Sequence, residues 1–168
     1  KDISKNVNVT KDPFVVYISG IDTYGSVSTV SRSDVNMILT VNPKTKQILM
    51  TSIPRDYYVT LANKGKKDKL THSGLGGIEN TVKTMENFMG IDINYYGRVN
   101  FTSVIEIVDA LGGINIDSTV AFTGYDGTSF KKGTNHITGK QALEFSRERH
   151  AFGGGDNERV HNQQVVMA

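Results

Sequence analysis

The sequence predicts an α/β protein, with α+β as the alternative, in which helices flank a central mixed β-sheet. Three observations support this prediction: short apolar runs closed by glycine or proline, apolar residues that repeat at helical spacing, and the interleaving of the two patterns along the chain. The chain has 168 residues and no visible internal repeat. This length is typical of one domain of about 100–200 residues.

The first third of the chain predicts three strands. Residues 14–19 form an apolar run closed by Gly20, which is typical of a buried strand. Residues 35–41 and 47–53 form two further runs, and the turn Asn42-Pro43-Lys44-Thr45 between them has proline at its favoured second position. We therefore expect the second and third strands to form a hairpin.

Polar and glycine-rich stretches predict loops and short elements. Residues 57–61 add a short extended piece. Residues 64–69 form a basic loop, explained by solvation or, alternatively, by attraction to an anionic surface. Residues 119–135 are irregular or form a hairpin. We expect residues 1–13 to be a polar lead, and residues 14–168 to be a single domain truncated within its last helix.

Helical spacing predicts two helices in the middle of the chain, one over residues 76–89 and one from Phe101 to Leu111. Each is followed by glycine, a common helix terminator. A strand is expected between them over residues 94–100. Ile114 and Ile116 then alternate with polar residues, which indicates another strand.

Two more helices are predicted near the C-terminus. Thr138 is placed to cap the first of them. The second follows a glycine tract, with Asp156 or Asn157 as its cap.

Composition excludes several function classes. The chain has no cysteine, so disulfides and thiolate metal sites are impossible. No apolar run approaches the roughly 20 residues that span a bilayer. The net charge of +2 is small, and no aromatic residues interleave with the basic clusters, so we do not expect nucleic-acid binding.

Five of the six arginines lie in short polar clusters, whereas most of the thirteen lysines lie elsewhere in loops. Arginine binds phosphate or carboxylate through two parallel hydrogen bonds, which a lysine ammonium cannot do. The clustered arginines are Arg32, Arg55, Arg147, Arg149 and Arg159. Their pattern indicates a site for a multiply charged anion such as phosphate; the alternative is pairing with neighbouring aspartates in surface salt bridges.

Two aspartates flank the predicted strands. Asp22 follows the first strand and Asp34 opens the second, so neighbouring strands would place both carboxylates at one sheet edge. Such a pair suits Mg²⁺, which takes one or two carboxylates together with phosphate oxygens. The alternative is that both aspartates form turns. The hairpin also brings Arg55 close to Arg32 and Asp34.

The C-terminal clusters extend the predicted anion site. Arg147 and Arg149 are two residues apart, so on an extended backbone they would form a paired claw. Arg159 and Gln163 are four apart and share one helical face. Asp156 stands at the start of that helix, where free N–H groups also favour an anion.

Six segments of the chain resemble the LytR-CpsA-Psr family of bacterial cell-wall enzymes, in the family's order and over nearly the whole length. They are VYISGID (16–22), SRSDV (31–35), NPKT (42–45), IPRD (53–56), FSRER (145–149) and DNERVHNQ (156–163). Within the family, the segments resemble the streptococcal capsule-attachment branch. The chain departs from the pattern at Tyr24, where many members carry arginine.

The resemblance implies a three-layer α-β-α architecture and an extracytoplasmic phosphotransferase, held at the outer face of a Gram-positive cell membrane by an N-terminal helix outside this sequence. Its substrate would be a glycopolymer, such as capsule polysaccharide or teichoic acid, linked through pyrophosphate to a polyprenyl lipid. It would transfer the glycopolymer phosphate to a peptidoglycan hydroxyl, with Mg²⁺ or Mn²⁺ as cofactor and a pyrophosphatase side activity.

The resemblance also implies roles for individual residues. Asp22 and Asp34 would bind the metal, and it stays open whether Asp34 also acts as general base. The catalytic residues would be Asp34, Arg55, Arg147 and Arg149. The pyrophosphate would be bound by Arg32, Arg55, Arg147, Arg149, Asp156, Arg159 and Gln163. The lipid tail would contact Met85, Phe88, Met89, Ile105 and Val108, for which ordinary core packing is the alternative.

Two rival functions stay open, and the first of them needs arginines but no metal. One is a non-catalytic module that binds anionic polymer or polyprenyl lipid. The other is a regulatory domain that senses polyprenyl lipids. Transfer that requires Mg²⁺ and Asp22 would distinguish the enzyme from both.

Overall fold

A four-stranded mixed sheet lies at the centre of the first hundred residues of the computed structural model. The structure describes residues 7–148, 150–151 and 155–168, with only the backbone at Asp156. The chain divides into two compact units, with the boundary between Asn100 and Phe101. The polar lead 1–13 and the single domain 14–168 stay predictions.

The elements of the first unit follow the predicted order. They are β1 (Phe14–Gly20), β2 (Val35–Asn42), β3 (Gln47–Ser52), β4 (Tyr58–Thr60), β5 (Lys67–Lys69), α1 (Ile78–Met89) and β6 (Tyr95–Val99). The sheet order is β3-β2-β1-β6, antiparallel from β3 to β1 and parallel between β1 and β6. The predicted strands are confirmed to within one residue at each end, and Asn42 Oδ1 accepts a 3.1 Å hydrogen bond from Lys44 N in the hairpin turn.

The basic segment differs from the prediction of a loop over residues 64–69. Its second half is β5, which pairs antiparallel with β4. A 3₁₀ helix, Leu70–Gly76, follows, so α1 begins at Ile78 rather than at residue 76. Gly77 separates the two helices with a φ of 85°, a conformation that glycine adopts without strain.

The core of the first unit lies between its sheet and α1. Nine buried apolar side chains form it: Tyr17, Ile38, Ile53, Val59, Leu61, Leu70, Val82, Met85 and Ile93. Helix α1 contributes Val82 and Met85 because residues three apart share one helical face. This packing fixes the sheet edge that carries the predicted carboxylates.

The second unit combines helices with short strands. Its elements are α2 (Phe101–Ala110), β7 (Ile114–Ser118), β8 (Phe122–Thr123), β9 (Ser129–Phe130), β10 (Gly133–Ile137), α3 (Gly139–Arg147) and α4 (Asp156–Met167). β8 and β9 form a hairpin, which confirms that alternative for residues 119–135, and β10 pairs antiparallel with β7. A stacked pair, Phe122 and Phe130, with centroids 4.6 Å apart, helps to fill its core.

One cap prediction is confirmed and one is wrong. Thr138 caps α3 in a capping box, in which Gln141 Oε1 accepts a 2.9 Å hydrogen bond from Thr138 N. The cap of α4 is Gly155 with a φ of 57°, so Asp156 and Asn157 lie inside the helix. Glycine takes this position because it has no Cβ to oppose a positive φ.

The fold class is confirmed: strands and helices interleave around a mixed sheet. The three-layer arrangement stays a prediction. Within the described residues, no helix combines the length and the apolar character that crossing a bilayer requires.

Candidate functional site

The end of β1 lies beside the start of β2, and this brings two predicted carboxylates to the same end of these two inner strands. This end of the sheet is called the sheet edge below. Gly20 pairs with Val35, and the Asp34 N–H donates a 2.8 Å hydrogen bond to Gly20 O. Asp22 follows two residues after Gly20 and is exposed, while Asp34 is half-buried. The neighbouring strands that the sequence argument required are therefore present.

Arg55 forms an ion pair at this edge. Its Nη1 lies 2.7 Å from Asp34 Oδ1, and its Nε lies 3.8 Å from Asp56 Oδ2. The predicted proximity of Arg55 and Asp34 is confirmed. Arg32 lies two residues before Asp34, with its side chain exposed. The edge therefore carries two of the predicted arginines and both predicted aspartates within one unit.

Thr71, which no sequence pattern indicated, also belongs to this edge. Its Oγ1 donates a 3.3 Å hydrogen bond to Asp34 Oδ1. Its backbone N–H donates to Arg55 O at 2.8 Å, and its carbonyl oxygen accepts from Ser33 N at 3.0 Å. Thr71 lies in the 3₁₀ helix Leu70–Gly76, an element without the apolar periodicity by which helices are recognised in a sequence.

A buried network of polar side chains lies beside Asp34. Ser33 Oγ bonds to Ser19 Oγ at 2.7 Å and donates to Asn36 Oδ1 at 2.9 Å. The Tyr17 hydroxyl donates to the same Asn36 oxygen at 2.5 Å. Burial raises the pKa of Tyr17 to about 12, so its hydroxyl keeps its proton at neutral pH. These bonds fix the chain segment that leads into β2.

The sixth arginine, Arg98 on β6, holds the loop between β1 and β2. Its Nη1 donates to Val27 O at 3.1 Å and its Nη2 to Ser31 O at 3.5 Å. Asn100 Nδ2 donates to Gly25 O at 2.9 Å. Partial burial lowers the pKa of Arg98, but an arginine stays protonated at physiological pH. Arg98 therefore has a structural contact with the loop that carries the predicted site residues.

Arg147, in the second unit, lies in the last turn of α3 and is exposed. Its guanidinium carbon is 4.8 Å from the centroid of the Phe101 ring, a cation–π contact. The backbone at Arg147 is helical. The extended backbone that would point Arg147 and Arg149 to one side is therefore not present at Arg147. Arg149, the other half of that predicted pair, lies outside the described residues.

Glu148 follows Arg147 and is buried. Its Oε1 accepts hydrogen bonds from His150 N at 2.6 Å and from Ala151 N at 3.1 Å. The carboxylate therefore organises the backbone just after α3. In the sequence, Glu148 is indicated only as a member of the FSRER segment, and no pattern predicts this backbone contact.

The remaining predicted anion ligands lie on α4. Arg159 is buried and Gln163 is half-buried, and their spacing of four places them on one helical face as predicted. Asp156 is the first residue of α4, and its side chain lies outside the description. Their proposed binding roles stay predictions.

The predicted lipid contacts differ in exposure. Met85 is fully buried in the core of the first unit, and Val108 is buried in the core of the second. For these two residues the packing favours the core alternative. Phe88 and Met89, at the end of α1, are 42% and 37% exposed, and Ile105 is half-buried.

The carboxylate oxygens at the sheet edge are suitable ligands for a hard cation. Within the described residues, no group of three or more His, Cys, Asp or Glu side chains converges on one point. Magnesium does not need such a group when phosphate oxygens complete its coordination. Both hydrogen bonds to Asp34 end on Oδ1, and no described residue donates one to Oδ2. Asp34 therefore has an oxygen available as a ligand, and Asp22 is exposed nearby along the same edge.

Comparison with known proteins identifies the family. The model of the LytR_cpsA_psr family matches residues 1–168. The chain belongs to the LytR-CpsA-Psr family. Two curated relatives of this LytR-CpsA-Psr chain are named polyisoprenyl-teichoic acid–peptidoglycan teichoic acid transferase TagU. The protein of Bacillus licheniformis is 41% identical over 178 residues and that of Bacillus subtilis 43% over 169 residues, each covering 99% of the chain.

Crystal structures of LytR-CpsA-Psr proteins agree with the fold. TagU of B. subtilis superimposes with a TM-score of 0.78 at 43% identity, covering 94% of this chain and 64% of TagU. TagT with bound octaprenyl pyrophosphate lipid gives 0.76 at 31% identity, covering 97% of this chain and 65% of TagT. The chain covers 57% and 54% of the two curated TagU sequences, about half of their length. Similarity to the capsule-attachment branch stays a prediction.

Proposed function

We propose that this LytR-CpsA-Psr chain is a phosphotransferase that moves a glycopolymer phosphate from a polyprenyl-pyrophosphate carrier to a peptidoglycan hydroxyl. The observation that carries the proposal is the octaprenyl pyrophosphate bound to TagT. The TagT structure is similar to this chain over 97% of the chain's length. The names of the TagU relatives support teichoic acid as the polymer and peptidoglycan as the acceptor.

The proposed reaction breaks a phosphoanhydride bond of the carrier and forms a phosphoester bond to the acceptor. An acceptor hydroxyl oxygen attacks the phosphorus that bears the glycopolymer. The bond from this phosphorus to the bridging oxygen breaks, and polyprenyl phosphate leaves with the electron pair. The hydroxyl proton passes to a base or to solvent. Water in place of the acceptor would give the pyrophosphatase side activity.

The residues at the sheet edge would organise the diphosphate. Mg²⁺, or Mn²⁺ in its place, would be held by Asp22 and Asp34, and it would neutralise charge on the pyrophosphate when bound. Arg55 is oriented by its 2.7 Å contact with Asp34, so its position relative to that carboxylate is set before substrate arrives. Arg32, exposed on the same edge, would bind an outer phosphate oxygen.

The remaining anion ligands of the proposal are those that the family resemblance implies. These would be Arg147, Arg149, Asp156, Arg159 and Gln163. Arginines that face the developing charge of a leaving phosphate can contribute about 10³-fold or more to such reactions. Apolar side chains would contact the polyprenyl tail, and the exposed Phe88 and Met89 are the most accessible candidates. This activity would place the protein on the extracytoplasmic face of the membrane.

A transfer assay tests the proposal. The chain is incubated with a short-chain polyprenyl-pyrophosphate glycan and soluble peptidoglycan fragments, with Mg²⁺ or with EDTA. Mass spectrometry should detect the phosphodiester-linked product only with Mg²⁺, and Asp22→Asn should remove it. A matched variant, Asp92→Asn, changes another exposed aspartate of the first unit and should keep activity. Binding of the lipid without turnover would favour a binding or regulatory module instead.

A further inference from the structure

Thr71 links the two segments that carry Asp34 and Arg55. Its N–H donates to Arg55 O at 2.8 Å, and its carbonyl oxygen accepts from Ser33 N at 3.0 Å. Its hydroxyl donates to Asp34 Oδ1 at 3.3 Å. Thr71 is 5% exposed, and its contact with Asp34 is partly buried. One buried residue therefore touches the carboxylate and both backbone segments around it.

The hydroxyl of Thr71 and the guanidinium of Arg55 converge on the same oxygen. Arg55 Nη1 lies 2.7 Å from Asp34 Oδ1, and Thr71 Oγ1 lies 3.3 Å from it. Two donors on one oxygen restrict rotation of the carboxylate more than one donor does. Oδ2 receives no hydrogen bond from the residues that the structure describes, so the pair of donors sets which oxygen stays available.

Gly74 holds the 3₁₀ helix that carries Thr71 against the site. A Cβ at Gly74 would lie 2.6 Å from Ser33 N and even closer to Ser31 O. The helix therefore contacts the backbone of residues 31–33 directly. Because Thr71 and Gly74 lie on this one short helix, the position of the Thr71 hydroxyl relative to Asp34 is fixed by backbone packing.

We infer that Thr71 is a positioning residue for the divalent cation. Its hydroxyl, together with Arg55, occupies Oδ1 of Asp34 and so presents Oδ2 to the metal. Thr71 makes no bond to the reacting atoms and acts only through Asp34. The inference rests on the proposed function, because it takes Asp34 as a ligand of the cation.

Two substitutions isolate the hydroxyl. Thr71→Val replaces it with a methyl group of similar size, and Thr71→Ser keeps it; both keep the backbone hydrogen bonds. The probe is Mn²⁺ with inorganic pyrophosphate, and its binding is measured by water proton relaxation. Residues that orient a metal ligand typically affect metal affinity by about 10-fold or more, so Thr71→Val should weaken Mn²⁺ binding by about 10-fold. Thr71→Ser should stay within about twofold of the wild type.

A second readout separates positioning from folding. Pyrophosphate affinity is measured in EDTA, where only the basic groups act, and Thr71→Val should leave it unchanged. If Thr71→Val does not fold, Thr71→Ala removes the same hydroxyl without adding a branched methyl group. Equal Mn²⁺ affinity of the folded variant and the wild type would overturn the inference, as would a parallel loss of metal-free pyrophosphate binding.

Asp34→Asn distinguishes failure of this inference from failure of the proposed function. If Asp34→Asn loses Mn²⁺ binding while Thr71→Val does not, only the role of Thr71 is wrong. If the wild type binds no Mn²⁺ and gives no transfer product, the proposed function fails and the inference fails with it.

Discussion

Arg55 donates a 2.7 Å hydrogen bond from Nη1 to Oδ1 of Asp34, although 21 positions separate the two residues in the chain. The β2–β3 hairpin explains this contact. Met37 pairs with Ser52, so the segment that follows β3 runs beside the segment that precedes β2. The ion pair is therefore a consequence of antiparallel strand pairing.

Replacing Arg55 with alanine should abolish transfer and leave the fold intact. We expect a loss of about 10³-fold in kcat/KM, because the guanidinium would face charge on the leaving phosphate. The free energy of unfolding should change by about 1 kcal/mol or less, since the Arg55 side chain is 33% exposed and solvent screens the pair. Transfer kinetics and urea unfolding measure the two effects.

The matched control for Arg55 is Lys83→Ala. Lys83 forms a surface ion pair with Glu86 at 3.2 Å on α1, and its loss should leave both measurements near wild type. Wild-type transfer by Arg55→Ala would contradict the assigned role.

Substitutions of Arg147 should separate catalysis from packing. Arg147→Ala should lower transfer by about 10³-fold. It should also lower the free energy of unfolding by about 1 kcal/mol through loss of the cation–π contact with Phe101, 4.8 Å away. Phe101→Leu should reproduce the stability change and retain most of the activity. The same assays apply, with Lys140→Ala on the exposed face of α3 as control. A similar loss of transfer in both Arg147→Ala and Phe101→Leu would assign Arg147 a structural role.

Gly74→Ala should damage both stability and activity. The new Cβ would press on the backbone of residues 31–33, which carry Arg32 and lead into Asp34. Overpacking of this kind costs about 1–3 kcal/mol, measurable by thermal unfolding. Gly97→Ala is the control, because its Cβ would meet only the Ile18 Cδ1 methyl, at 3.2 Å. If the two variants have the same stability and activity, the backbone near Ser33 moves to accommodate the new Cβ, and the prediction is wrong.

Stability should fall above pH 10 because of Tyr17. Burial raises its pKa from 10.0 to about 12 in the folded protein, so between these values the folded state binds more protons than the unfolded state. The contribution is complete below pH 10, is lost as the pH rises towards 12, and amounts to about 3 kcal/mol. Tyr17→Phe should show a shallower decline in urea unfolding over this range. Tyr58→Phe, at a tyrosine that is 68% exposed, should keep the wild-type slope.

The local sequence pattern was sufficient to predict three strands of the sheet and the contact between Arg55 and Asp34. The runs 14–19, 35–41 and 47–53 each contain enough apolar residues to indicate a strand, and the proline turn fixes the hairpin. Once the hairpin is known, the proximity of the IPRD and SRSD segments follows from geometry alone.

Other features depend on contacts distant in sequence. β5 consists of Lys67, Asp68 and Lys69, which carry no apolar alternation, so only its pairing with β4 reveals it as a strand. Thr71 lies in a short 3₁₀ helix whose role depends on contacts with Arg55, Ser33 and Asp34. Gly155 caps α4 through a backbone conformation that competes with the side-chain caps expected at Asp156 and Asn157.

The loop between β1 and β2 is held through its main chain. Arg98 and Asn100 bind the carbonyl oxygens of Val27, Ser31 and Gly25, and these main-chain contacts do not involve the side chain of Val27. The side chains of Val27 and Val30 are 39% and 65% exposed. Sequence drift at these two valines can therefore proceed at little cost to folding. They are suitable positions for a fluorophore that reports on ligand binding at the neighbouring sheet edge. They are also suitable positions for a randomised library that alters this binding.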